Sequence, residues 1–494
     1  MKRRFWIIIF CFVLVAGVGS RELTLAELFG VLEERHPFVQ QQELAPEVER
    51  KNQNVTATAQ TWRLTVRPTF YYSQPVDASS FTPEELQQAN LFGSAQRTFW
   101  STGGRFSAEW SSNLTDQNLP TIPLPGPTGG MSSFSIGLNR FYKNRIFFNY
   151  SQPLWQNYKG SLDRLDYELA DFSIQIAEYE TIENKEQFFL QNGLLYLDWV
   201  LLREKISILD ERLQLAQEQK EFVQEKRQAF LVDEVDVLRA EDAVRMAEQN
   251  KMLVQSQQNA TKSELAIVAQ SPDIQSMQPQ FDLYDTTDLP PLEQAFNRLM
   301  NQSRTLLVLN EQTQRLQRLR SGFAEQKSPQ LNANLGAGFV GGDNQFGNSL
   351  DISNPDIQLS LMFSYPLGTQ AATVNEQKTQ LQIRQLELQR DNVSLNLKSR
   401  LAALLIRINE MKNILQLNQR QIASARQRMQ EEQKIYEQGR GQLNFVIQSR
   451  DNLQNAKLIK AENAAAYQKL LLQYRELTDQ LLDGEFQKSE NNQN

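Results

Sequence analysis

Few residues in this sequence are of types that carry out catalysis, and their placement argues against it. The only histidine is His36, set where a helical pattern meets Pro37, and it reads as a solvated helix-end residue. The only cysteine is Cys11, inside an N-terminal apolar run and preceded by Phe10, where a lipoprotein signal would place a small residue. A zinc site of His and Cys is excluded. Without the first 20 residues, a thiol nucleophile and a disulfide framework are excluded as well. Two close carboxylate pairs, Glu178/Glu180 and Asp233/Asp236, have the composition a hydrolase uses, but they sit on or beside charge-rich helical patterns and read as solvated faces. No glycine-rich phosphate loop, nucleophile elbow or metal-ligand spacing is found. The net charge of −7 offers no basic face for nucleic acid. The expectation is a non-enzymatic chain without cofactor or metal.

The first 20 residues point to secretion. Met1, Lys2, Arg3 and Arg4 make a positive start, residues 5–15 form an apolar run, and small residues 16–20 precede Arg21. That is the layout of a signal peptide, and the run is too short for a membrane-spanning helix. The full chain has a mean hydropathy of −0.51 and abundant Gln and Asn, which favours long solvated elements over compact cores. No later stretch is long and apolar enough to span a bilayer as a helix, so a place in a membrane would have to be taken as a barrel.

The chain repeats itself. LTLAEL at 23–28 is answered by LPPLEQA at 289–295, PTFYY at 68–72 by PQLNA at 329–333, YSQPLW at 150–155 by FSYPLG at 363–368, and VLRA at 237–240 by VIQS at 446–449. The order is helix, strand, strand, long helix, helix in both halves, residues 21–270 and 292–483. Residues 271–291, rich in Pro, Asp and Thr, read as a linker, and 484–494 as a disordered tail. The fold class is mainly α with β.

Period-two alternation marks four strands per chain: Trp62, Leu64 and Val66; Ile146, Phe148 and Tyr150; residues 331–340; and Ile357, Leu359, Leu361 and Phe363. Four strands cannot close a barrel, and an open sheet in lipid leaves backbone groups unpaired, so several chains must contribute; three would give a twelve-stranded transmembrane wall. Residues 74–144 are an insertion with further alternating runs, 105–110 and 133–138. These either lengthen a barrel hairpin or fold as an exposed cap. Its aromatics, Phe99, Trp100, Trp110, Phe141 and Tyr142, suit an interfacial girdle or ordinary hairpin packing equally.

The helices that would connect to such a wall carry the clearest pattern. Between 374 and 438 there is no Pro or Gly, and Leu401, Ile408, Leu415, Ile422, Met429 and Tyr436 recur every seven residues. A sustained heptad predicts long paired helices in a left-handed supercoil. Val446, Leu453, Tyr467, Tyr474 and Leu481 extend the pattern into a second helix, folded back antiparallel at Gly439, Arg440 and Gly441. In the first half, a run over about 162–230, with Leu195, Leu202, Leu209 and Ala216 in register, leads to a helix over 235–269. The joint at 229–233 lacks glycine, so a sharp turn is less firmly marked there.

With LTLAEL at 23–28, SQPLW at 151–155, and YEQG at 436–439 ahead of NFVIQS at 444–449, the chain resembles the TolC-like outer-membrane factor family over almost its whole length after residue 20. The resemblance implies a homotrimer with a twelve-stranded barrel in outer-membrane lipid and a helical tunnel in the periplasm. It implies a passive exit duct for efflux or type I secretion, coupled through a periplasmic adaptor to an inner-membrane pump. It places the periplasmic gate and adaptor contact at the second hairpin tip, at Tyr436, Gly439, Arg440, Phe445 and Gln448. Family members often carry acidic residues at the positions of Phe445 and Gln448; here closure would be apolar and neutral, unless Phe445 merely packs between helices. The rival from another class is a periplasmic adaptor or coiled-coil scaffold that never crosses the membrane, although duplicated strand pairs beside long helices are not expected of one.

Overall fold

The computed structural model describes residues 21–76, 82–118, 139–365, 367 and 370–482, and the backbone of 121–125 and 131–135. The expected signal segment and C-terminal tail lie outside the described residues. The chain divides into two compact units, one of Met1–Leu44, Glu180–Leu307 and Asn392–Asn494, the other of Ala45–Tyr179 and Val308–Asp391. Helices α1 (Leu25–Arg35), α2 (Pro37–Ala57), α3 (Leu165–Gln228), α4 (Glu234–Val268), α5 (Leu292–Gln302), α6 (Arg304–Gln326), α7 (Ala371–Glu437) and α8 (Leu443–Leu477) account for most of it. No helix among the described residues is long and apolar enough to cross a membrane.

The second unit is built on one antiparallel sheet. Its strands are β1 (Arg63–Ser73), β2 (Glu85–Phe99), β3 (Gly104–Asn118), β4 (Arg140–Pro153), β5 (Gln330–Asp343) and β6 (Asn354–Ser364). They lie side by side in chain order, giving a six-stranded meander. This corrects the four-strand reading: the four marked runs are all strands, but the insertion at 74–144 supplies two more to the same sheet. The run at 105–110 lies within β3. The start of the run at 133–138 belongs to a separate small hairpin, 121–125 with 131–135, and its end lies outside the described residues.

The turn between β2 and β3 is held where the sheet ends. Gly103 there has a φ of +72°, and a Cβ on it would lie 2.6 Å from the Asn157 carbonyl oxygen. Gln152 Nε2 donates to the Thr102 carbonyl at 2.7 Å. Trp100, 7 % exposed, packs edge-on against Tyr167 with ring centroids 5.5 Å apart. Trp100 is therefore a packing residue and not a girdle residue.

In the first unit, LTLAEL opens α1 with a capping box. The Thr24 side chain accepts from the Glu27 N–H, and the Glu27 carboxylate accepts from the Thr24 N–H, satisfying two donors that a helix start leaves open. The expected stripe on α7 is inward, with Leu401, Ile408, Leu415, Ile422 and Tyr436 buried, and so are Val446, Leu453, Tyr467 and Tyr474 of α8. On α3 the stripe is displaced over its first turns, where Tyr196, Trp199 and Val200 are buried while Leu195 and Leu202 are half-buried; Leu209 is inward as expected. The displacement follows from a polar anchor, since the buried Tyr196 hydroxyl makes 2.8 Å and 3.0 Å hydrogen bonds to the carbonyls of Leu23 and Gln280. The segment 271–291 is strapped down, with Ile274, Met277 and Leu283 buried and Gln468 Nε2 donating to the Leu283 and Asp285 carbonyls.

The same unit contains a charge cluster centred on the buried Glu186. Glu183, Glu186 and Asp479 present oxygens close enough together to hold a metal ion, yet the charge among them is the Arg304 guanidinium, paired with Glu186, with Asp479 at 3.1 Å and with Glu183 at 3.5 Å. Arg304→Met leaves these carboxylates uncompensated and is expected to lose about 3–5 kcal/mol, read as a lower denaturation midpoint in detergent.

Candidate functional site

The residues brought together at the joint of α7 and α8 belong to two helical hairpins. Val223 of α3, Val237 and Ala240 of α4, Tyr436 of α7, and Leu443 and Val446 of α8 form one buried cluster. Both hairpins therefore turn at the same place in this unit, and their ends support each other.

Both turns are sharp and close in the same way. At the second, the Gly439 N–H donates to the Tyr436 carbonyl at 3.0 Å and the Arg440 N–H to the Ile435 carbonyl at 3.1 Å, with Gly439 at φ +73°. This is a Schellman closure, which requires a left-handed residue after the last helical turn. At the first, Phe230 donates to the Arg227 carbonyl at 3.0 Å and Leu231 to the Lys226 carbonyl at 2.9 Å, and the left-handed residue is Phe230 itself, at φ +59°. A bulky side chain in that conformation is strained. Phe230 is 87 % exposed and Leu231 70 %, so burial of the ring does not offset the strain.

The five residues singled out at the tip divide by environment. Tyr436 is buried, 5 % exposed, and acts in packing. Its ring meets Phe222 edge-on and lies 4.1 Å from Lys226 Nζ, which also donates to the Tyr436 carbonyl at 3.4 Å. Its hydroxyl is buried without a hydrogen-bond partner. Burial, with Asp236 nearby, pushes its pKa up. Gly439 shapes the turn, and Arg440 is exposed on it. Phe445, 50 % exposed, and Gln448, also exposed, share one face of α8, turned by about 100° from the one that buries Val446 and Ser449. Phe445 thus does not pack into the core of its own chain.

Sequence reasoning passed over Phe230, Leu231 and Lys226. The signal for the first two was present as an apolar run, residues 229–232, at a joint between two charged helices. Deeper in the hairpins Arg450 is held by the Leu215 carbonyl and Gln433 Oε1, each at 2.9 Å, and burial lowers its pKa. It lines a cavity of about 280 Å³ with Gln219 and Gln454.

No family model matches the sequence, and no curated protein matches it. Solved structures do. The outer membrane protein VceC of Vibrio cholerae superposes with a TM-score of 0.64 over 92 % of this chain and 95 % of its own, at 11 % identity. The CmeC outer membrane channel of Campylobacter jejuni gives 0.62 over 94 % and 88 %, at 12 % identity. The MtrE outer membrane channel of Neisseria gonorrhoeae, in its open state, gives 0.63 over 94 % of each chain, at 12 % identity. The fold is that of the TolC-like outer-membrane factors. The resemblance read from the sequence motifs is thus met at the level of architecture, with a helix-rich chain and an antiparallel sheet.

Gly439→Ala is expected to lower thermal stability by about 1 kcal/mol, and Phe230→Gly to raise it by up to about 1 kcal/mol, both by calorimetry. The raised pKa of Tyr436 means that its contribution is complete below the ordinary phenol value and lost as pH rises through the folded value. Tyr436→Phe should therefore reduce the alkaline loss of stability, to which Tyr284 and Tyr474, also raised by burial, contribute as well, while leaving the midpoint at neutral pH equal or higher.

Proposed function

We propose that this chain forms a homotrimeric channel in the outer membrane, continued into the periplasm by its helices, and acts as a passive exit duct. In this reading it serves a tripartite efflux or type I secretion system and meets a periplasmic adaptor, which links it to an inner-membrane pump. The observation that carries the proposal is the exposed apolar face of the sheet. Leu64, Val66 and Phe70 of β1 and Ile357, Leu359 and Leu361 of β6 are all more than two-thirds exposed. The alternate residues on the same strands, among them Arg63, Thr65, Arg67, Gln358 and Ser360, are polar. A wall with lipid outside and water inside requires that alternation. The outer sides of the first and last strands of the sheet also have no neighbouring strand among the described residues, and such edges are intolerable in lipid unless another copy pairs with them.

In the proposed trimer, Phe445 and Gln448 face the axis at the periplasmic end and narrow the duct, while the two turns, with Gly439, Arg440, Phe230 and Leu231, present themselves to the adaptor. Closure by an apolar ring and neutral hydrogen bonds makes the gate insensitive to cations. Single-channel recording in planar bilayers tests this. The wild type should give small, mostly closed currents, and Phe445→Ala and Gln448→Ala should enlarge them several-fold. Absence of insertion and conductance in all three would leave a periplasmic helical scaffold as the better account.

A further inference from the structure

The insertion at 74–144 interrupts what would otherwise be a simple hairpin, and its two long strands hold the key to the size of the barrel. We infer that the β2–β3 hairpin is part of the transmembrane wall, so that each chain contributes six strands and the trimer closes a barrel of eighteen. The inference rests on the trimeric-channel reading above and changes its diameter and strand count.

Register is the first support. Val66 of β1 lies opposite Gly93, Gly93 opposite Trp110, Trp110 opposite Ile146, and Ile146 opposite Phe339. One row further, Phe148 lies opposite Ala337 and Ala337 opposite Ile357. Directly paired residues point to the same side of a sheet, so these rows cross all six strands on one face. On β2 that face carries Ala89, Leu91, Gly93 and Ala95 before ending on Arg97, and on β3 Phe106, Ala108, Trp110 and Leu114, interrupted by Ser112. The opposite face carries Gln88, Asn90, Ser94 and Gln96 on β2, with Phe92 its apolar exception, and Ser107, Glu109, Ser111 and Asn113 on β3. The inserted strands thus keep their apolar side on the same face as the flanking strands. A cap standing in water would have no need of this agreement.

Length and anchorage are the second support. β2 and β3 have 15 residues each, more than the roughly 9–11 that a tilted strand needs to cross a bilayer. They pair along the full length of β1 and over twelve residues of β4, and their turn is held by the contacts of Thr102 and Gly103 with Gln152 and Asn157.

Parity is the third. Six antiparallel strands leave β1 and β6 running in opposite directions, so β6 of one copy meets β1 of the next antiparallel, as an even-stranded barrel requires. Both edge strands have 11 residues and both turn apolar side chains to the same face, so a second copy completes the ladder without a change of register or polarity. With strands about 4.8 Å apart and tilted by about 40°, eighteen strands give a backbone radius of about 18 Å, against about 12 Å for twelve. The lumen cross-section is then roughly double.

Cysteine pairs in the full-length protein, expressed in outer membranes, decide the matter. If the hairpin is wall, the pairs Thr65→Cys with Ser94→Cys and Val66→Cys with Gly93→Cys test successive positions of the β1–β2 ladder, and at least one should form an intramolecular disulfide on mild oxidation. Thr65→Cys combined with a cysteine at any of positions 147–151 should form none, because β1 and β4 are then about 14 Å apart. If the insertion is a cap, β1 pairs with β4 directly and the second set cross-links instead, which overturns the inference. End-on strand counting by electron cryomicroscopy of the wild-type trimer should give eighteen. A trimeric barrel of twelve would overturn the inference and leave the channel intact, whereas a particle without a barrel would overturn both.

Discussion

A sheet edge in lipid has no solvent to hydrogen-bond, and in the proposed channel this one constraint governs the sheet unit. Over most of their length, β2, β3, β4 and β5 are laddered to a neighbouring strand on both sides within the chain. The outer sides of β1 and β6 have no such neighbour among the described residues. Each open group would cost several kcal/mol in hydrocarbon, far more than side-chain packing could recover over 11 residues. The chain alone is therefore unfit for the environment that its apolar face demands. The face and the edges together call for an assembly, since either feature alone would admit a simpler account: a covered face, or a protected edge in water.

The helical unit obeys a different constraint. Long helices joined by short turns leave terminal carbonyls open, and each hairpin closes them with the same two hydrogen bonds after a left-handed residue. At one turn glycine takes that conformation without strain; at the other a phenylalanine takes it, with its ring in solvent. Strain at an exposed aromatic persists only where the surrounding structure enforces it. The enforcement is visible in the cluster beneath, where Val223, Val237, Tyr436 and Val446 pack from all four helices. Lys226, placed in the last turn of α3 where a cation is favoured by the helix dipole, ties the two hairpins by reaching the Tyr436 ring and carbonyl.

How much of this could be read from sequence depended on contrast. The heptads of α7 and α8 stood out because large apolar residues recur against Gln, Lys and Glu, and the same residues are buried. The edge strands stood out because Leu, Val, Ile and Phe alternate with Arg, Thr and Gln. β2 did not, because three of its outward positions are the small Ala89, Gly93 and Ala95, with only Leu91 large among them, and Phe92 breaks the Gln, Asn and Ser set on its other face. Its place in the sheet is set by pairing with β1 and β3, a nonlocal property that no window along the chain contains. On α3, the leucine heptad was visible and the aromatic stripe beside it was chosen, because Tyr196 can satisfy two backbone carbonyls while leucine can satisfy none. At the tip, Tyr436 was legible as a recurring position but not as the centre of the cluster, which needs partners more than two hundred residues away in sequence. The strained turn at Phe230 was masked by the usual rule that glycine marks such positions.

The position of the inserted hairpin also explains why it can be added at all. A strand pair that leaves and returns at the same end of the sheet changes the circumference of a barrel without adding a helix, since β1 and β4 still run in the directions they would have had as direct neighbours. Its distal turn must then be secured, or two long strands would fray from the tip. Gly103 provides that security by letting the turn approach the Asn157 carbonyl more closely than any side chain would permit, and Trp100 fills the space beside Tyr167. Insertions that met only one of these conditions, parity of strands or an anchored turn, would leave an open edge in lipid or a loose hairpin beside it. This one meets both, as the proposed eighteen-stranded wall requires of its two added strands.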